Sequence, residues 1–150
     1  MIGLADFGNN QRVLWEWFER RRSNTPEDLR LALLVAVGTL AVGLRKGNLL
    51  NMENLIGEVG LLFVAICSAT DPGDHVVWNS APDDQAISLP PSACLSRVIE
   101  LSREEFPRLR FYRMVRYLGA ACGMQPDNVV KTIIASIQDI VRRTDVPEGL

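Results

Sequence analysis

Apolar residues recur along this chain at helical rather than strand spacing, and prolines, glycines and capping residues mark the breaks. Val13, Leu14, Trp17 and Phe18 form an i, i+1, i+4, i+5 stripe with charged residues around the remainder, which predicts a first helix from about Asn10 to Arg22. "SNTPEDL" opens a second. Thr25 can cap, Pro26 suits the first helical position, and Glu27 and Asp28 favour the positive helix end. That helix runs to Arg45–Lys46–Gly47, where basic residues precede a glycine stop. Between its ends, "LALLVAVGTLAVGL" is apolar on every side. Such a helix is central and buried by neighbours all round, or partly buried by a second subunit. Asn51 is the expected cap of a third helix through "MENLIGEVGLLFVAICSA" to about Ala69. Gly38, Gly43, Gly57 and Gly60 recur in these two helices. Each costs about 1 kcal/mol against alanine in a helix interior, and close approach of packed backbones is the expected reason.

From Thr70 to Pro91 the character changes, with four prolines and four aspartates in "TDPGDHVVWNSAPDDQAISLPP". A connection this long is functional or without fixed structure, and short extended pieces fit at "HVVW" and "AISL". Helical patterning resumes at Ser92 and continues to Cys122, with a break near Phe106–Pro107 where Ser102-x-x-Glu105 resembles a capping box. "GMQPDN" is the next turn, with Asp127 as the expected cap. Val129, Val130, Ile133, Ile134, Ile137, Ile140 and Val141 then carry a last helix to Arg142–Arg143. The pattern predicts one all-α domain over residues 1–150, a bundle of five to six helices with a long Pro/Asp-rich loop at about 70–91.

A hydrophobic content of 47% against 23% charged residues agrees with a chain that packs a core. The longest apolar runs, Leu31–Leu44 and Leu55–Ala69, fall short of the roughly 20 residues that a membrane span needs. No basic-then-apolar leader opens the chain, and the widely spaced Cys67, Cys94 and Cys122 read as reduced thiols, so a cytoplasmic protein is expected. The net charge of −2 offers no general attraction to nucleic acid or anionic membranes. Lys46 and Lys131 are the only lysines, so 14 of the 16 basic residues are arginine. That excess suits phosphate or carboxylate recognition, and a compositional bias accounts for it equally.

Few residues carry chemistry. His75 is the single histidine and has no cysteine near it, which argues against a zinc site or a histidine-based triad. A Gly-rich phosphate loop is absent from the sequence. Arg108, Tyr112 and Arg116 share one helix face, and Arg110, Arg113 and Tyr117 another. A nucleotide or a single strand could lie on such a surface by pairing charge with stacking, and a solvated helix face explains the same pattern. Glu58 stands inside the apolar "LIGEVGLLFVAI", where a carboxylate must be paired, protonated or metal-bound if it is buried. Its helical neighbours at 54, 55, 61 and 62 are Asn, Leu, Leu and Leu. If metal is held at all, Glu58, Glu53, Glu104 and Glu105 or the aspartates of the loop would have to converge on it.

"TPEDLRLALLVAVGTLAVGLRKGN" followed by "ENLIGEVGLLFVAICSA" resembles the MazG-type all-α nucleoside triphosphate pyrophosphohydrolases. The likeness lies in helix order, caps and glycine placement over about residues 12–70. It implies dimers or tetramers, and a magnesium site built from ExxE on one helix and ExxD on the next. In this register those positions fall on Ala36 and Thr39, then on Leu55 and Glu58. In a second register they fall on Glu58 and Leu61, then on Pro107 and Arg110. Glu58 is the acid common to both, and the other three are missing from both. The leading reading is therefore a non-catalytic MazG-like helical oligomer that binds a protein partner or a nucleotide and needs no cofactor. Glu58, the best catalytic candidate, then becomes a packing group paired with an arginine such as Arg110 or Arg113, with Gly57 and Gly60 making room. The alternatives are an active magnesium-dependent pyrophosphohydrolase, and an unrelated helical adaptor or phage-type regulatory protein.

Overall fold

The computed structural model describes residues 25–47, 51–70, 87–103 and 110–144. Within them the chain forms five helices and no strand: α1 (Pro26–Lys46), α2 (Met52–Thr70), α3 (Pro91–Leu101), α4 (Arg110–Cys122) and α5 (Pro126–Thr144). This is an all-α bundle. The expected helix over Asn10–Arg22 lies outside the described residues, as do His75, "HVVW" and the loop aspartates. Residues 87–90, the end of the other expected extended piece, take no regular structure.

The start of α1 follows from its first four residues. Thr25 accepts a hydrogen bond from Asp28 N at 3.1 Å, and Asp28 Oδ2 accepts one from Thr25 N at 3.3 Å, closing a capping box ahead of Pro26. Its end is equally local, because Gly47 adopts φ 68° and its N–H reaches back to the carbonyls of Gly43 and Leu44. Asn51 directly precedes α2, and its carbonyl accepts from Leu55 N at 3.0 Å.

Two other caps differ from expectation. Ser102 closes α3 instead of opening the next helix: it sits at φ −65°, ψ −16°, and its Oγ donates to Ile99 O at 2.6 Å. An N-cap needs extended backbone, and Ser102 is helical, so its hydroxyl turns back on the preceding turn. At α5 the capping position is Gln125, whose carbonyl accepts from Asn128 N and Val129 N. Pro126 occupies the first helical position and places Asp127 inside the first turn, where its charge faces the helix dipole without capping it.

All five helices feed one apolar core. α2 is the central element, packed against α1, α4 and α5, while α3 packs on α4 and on α1. Ile56, Val59, Phe63, Val64, Ala65 and Ile66 are fully buried along it. Two glycines set its closest approach. A Cβ at Gly57 would collide with Ser136 Oγ, and one at Gly60 with Ile133 Cγ1, so α2 and α5 meet nearly backbone to side chain. Close packing thus accounts for Gly57 and Gly60. It does not account for Gly38, where a Cβ would meet nothing within 4 Å, or for Gly43, where the nearest atom is Leu55 Cδ1 at an ordinary 3.5 Å.

The helix that is apolar all round is not the central one. α1 turns Leu29, Leu33, Ala36, Val37 and Leu40 into the core and leaves Leu31, Leu34, Val35 and Val42 exposed. Side-chain polarity is uniform around this helix, so the partition was decided by where neighbours lie.

The two glycine environments separate experimentally. Gly60→Ala is expected to destabilise the fold by about 1–3 kcal/mol through overpacking on Ile133, a β-branched residue with little freedom to move aside. Gly43→Ala is expected to stabilise it by up to about 1 kcal/mol through helix propensity alone. Urea denaturation followed by far-UV circular dichroism measures both.

Candidate functional site

Glu58 does not occupy the core. It is exposed on α2, although its neighbours Gly57 and Val59 are buried. The apolar run of which it is part made burial the expectation. Helical geometry turns each residue by about 100°, so the face that buries Gly57 and Gly60 against α5 carries Glu58 out to solvent. Of the two arginines expected to pair with it, the side chain of Arg110 lies outside the described residues; ion pairs elsewhere join Arg30 to Glu27 at 3.9 Å and Arg97 to Glu100 at 2.8 Å. Of the four positions on which the first register placed the family's acids, Ala36 is buried and Leu55 half-buried, while Thr39 is exposed with its hydroxyl donated to Val35 O at 3.0 Å. Among the described residues no three of His, Cys, Asp and Glu gather closely enough to hold a metal ion. Glu104 and Glu105 lie outside those residues.

Glu53 belongs to a different feature. It lines an open groove of about 380 Å³ between the start of α2 and α5, with Asn54, Lys131, Thr132, Ala135, Ser136 and Asp139. Two carboxylates and an ammonium stand at its edges, all on exposed residues. Its hydroxyls are already committed, since Thr132 Oγ1 donates to Asn128 O at 2.9 Å and Ser136 Oγ to Thr132 O at 3.2 Å. Exposed charges of mixed sign over satisfied hydroxyls offer a ligand weak, salt-screened contacts. Lys131 and Asp139 carry no motif in the sequence, and only the packing of α5 on α2 brings them to Glu53.

The arginine and tyrosine positions of α4 separate in the fold. Phe111, Met114, Val115 and Leu118 face the core, and Tyr112 is buried with them at 5% exposure. The Arg116 guanidinium lies over the Tyr112 ring, 5.9 Å from its centroid. Arg97 of α3 lies at the same distance from the Tyr117 ring. Both rings therefore already carry a cation from their own chain. Stacking a base there means displacing a guanidinium. Arg113 is exposed; Arg108 and the side chain of Arg110 lie outside what is described.

No protein-family model, curated protein or solved structure matches this chain. The site must be read from its own geometry.

On that geometry the surface feature that stands out is α1. Leu31 is 52% exposed, Leu34 37%, Val35 70% and Val42 51%. Scattered apolar side chains on a surface are ordinary, but here four large ones lie on one helix. The all-round apolar pattern was the sequence signal for this face. No helix among the described residues is long and apolar enough to cross a membrane.

Cys94 and Cys122 offer no reactive thiolate. Cys67 and Cys94 are buried, Cys122 is half-buried, and no disulfide joins them. Burial raises the Cys94 thiol above its ordinary value. Burial first, and the neighbouring Cys94 second, push Cys122 from 9.0 up to about 11. Thiols held protonated are poor nucleophiles. The sign for stability follows. Between pH about 9 and about 11 the unfolded chain releases the Cys122 proton while the folded chain keeps it, so stability is full below that window and falls across it. Urea midpoints across this range are expected to fall less steeply for Cys122→Ala than for the parent chain.

Proposed function

We propose that this chain is a non-catalytic helical binding protein, of MazG-like design, whose working surface is the outward face of α1. The observation that carries the reading is the exposure of Leu31, Leu34, Val35 and Val42 on a helix whose opposite face anchors the core. An apolar surface of this kind is costly in water and favours burial against a partner. Rigid positioning supports it further. α1 is capped at both ends and tied to the end of α3, where Arg30 Nε donates to Ser102 O at 3.4 Å. A partner therefore meets a preformed surface and pays little ordering entropy.

The competing reading is the magnesium-dependent pyrophosphohydrolase. It is disfavoured by the non-acidic residues at three of the family's four acidic positions and by the exposure of Glu58 without a second acid at contact spacing on its helix. A panel of nucleoside triphosphates with magnesium tests this. No pyrophosphate release above the uncatalysed rate is expected, and Glu58→Gln is expected to change nothing in that assay. Magnesium-dependent release that disappears in Glu58→Gln would replace the binding reading with the enzyme.

A further inference from the structure

The outward face of α1 carries a pattern that specifies its occupant. Asp28, Leu31, Val35, Gly38, Val42 and Arg45 are all exposed, and they follow one another in steps of three, four, three, four and three residues. This is the a and d spacing of a helix-to-helix seam, set on the side of α1 away from the core stripe. The steps read the same from either end, and the residues complement one another in kind. Laid antiparallel on itself, the stripe sets Asp28 against Arg45, Leu31 against Val42, and Val35 against Gly38, each twice.

The shapes match as well as the charges. Val35 projects furthest, at 70% exposure, and Gly38 leaves a recess where a Cβ would meet nothing within 4 Å. Glycine weakens a helix interior, and α5 accounts for Gly57 and Gly60, but among the described residues no contact accounts for Gly38. A valine from a facing helix seated over it does. Antiparallel helices also set the acidic first turn, Glu27 and Asp28, beside the basic last turn, Arg45 and Lys46, with their dipoles opposed.

Resting on the reading of α1 as the working surface, we propose that its occupant is a second copy of this chain. The two α1 helices pair antiparallel about a two-fold axis at the level of Ala36–Val37. An unrelated partner would need only a match to this stripe; self-complementarity of charge, size and spacing is required only of a surface that meets itself.

Sedimentation velocity over a concentration series tests the proposal on the full chain. The chain is expected to sediment at twice its 16.7 kDa mass and to dissociate on dilution. Val35→Glu is expected to be folded by circular dichroism and to remain a monomer. The orientation is tested by Asp28→Arg and Arg45→Asp. Each variant alone sets two like-charge contacts across its own pair, whereas a mixture of the two restores opposite charges at both. The mixture is expected to associate about tenfold more tightly than either variant alone. A monomer at every concentration, or a mixture no tighter than its components, overturns the proposal. The two levels of the reading fail differently. A monomeric parent whose Val35→Glu variant keeps full stability removes the second copy and leaves the surface open for another partner. A monomeric parent whose variant loses stability shows that the chain covers its own α1 face, and both fall.

Discussion

The contact of α2 with α5 governs the rest of the bundle, because two missing side chains let the helices approach where any Cβ would hold them apart. Gly57 lies against Ser136 and Gly60 against Ile133. With α2 flush on α5, its remaining circumference is left for α1 and α4, and a run of fully buried residues from Phe63 to Ile66 fills the centre. The helix-propensity cost of two glycines is offset by the burial that close packing allows, at roughly 1.5–3 kcal/mol for a fully buried large aliphatic side chain. The same contact decides the fate of Glu58. Lying between the two glycines in sequence, it is turned off the face that they bury and reaches water.

Once α2 holds the centre, α1 becomes peripheral despite its composition. It can give the core only one side, Leu29, Leu33, Ala36, Val37 and Leu40, and its other side is left apolar and uncovered. This asymmetry gives the fold a surface. The groove at Glu53 and the arginines around Tyr112 and Tyr117 are chemically richer, yet their polar groups are largely engaged with their own chain. Thr132 and Ser136 bond their own helix, and both tyrosine rings lie under guanidinium groups. Among the described residues, the apolar side chains that α1 presents have no such engagement.

Local chemistry was legible in the sequence wherever a few adjacent residues settle it. Thr25 and Asp28 cap α1, Gly47 ends it, and the 3.6-residue periodicity of Val129 to Ile137 marks the core face of α5. Ser102 was misread because the capping-box spacing to Glu105 says nothing of whether the preceding helix continues through it. Asp127 was misread because Pro126 can take the first helical position only if residue 125 caps.

The sequence by itself determined that the chain is helical, where α1 begins and ends, and which face of α5 is apolar, since caps, breakers and periodicity act over a handful of residues. Tertiary structure alone decided which apolar helix is central, which glycines are close contacts, and that Glu58 is exposed. Those outcomes depend on distant pairs, Gly60 with Ile133 or Glu53 with Asp139, that share no local pattern. A helix apolar on every side carries no mark of which side will be covered. Only the position of its neighbours leaves Val35 and Gly38 facing outward together.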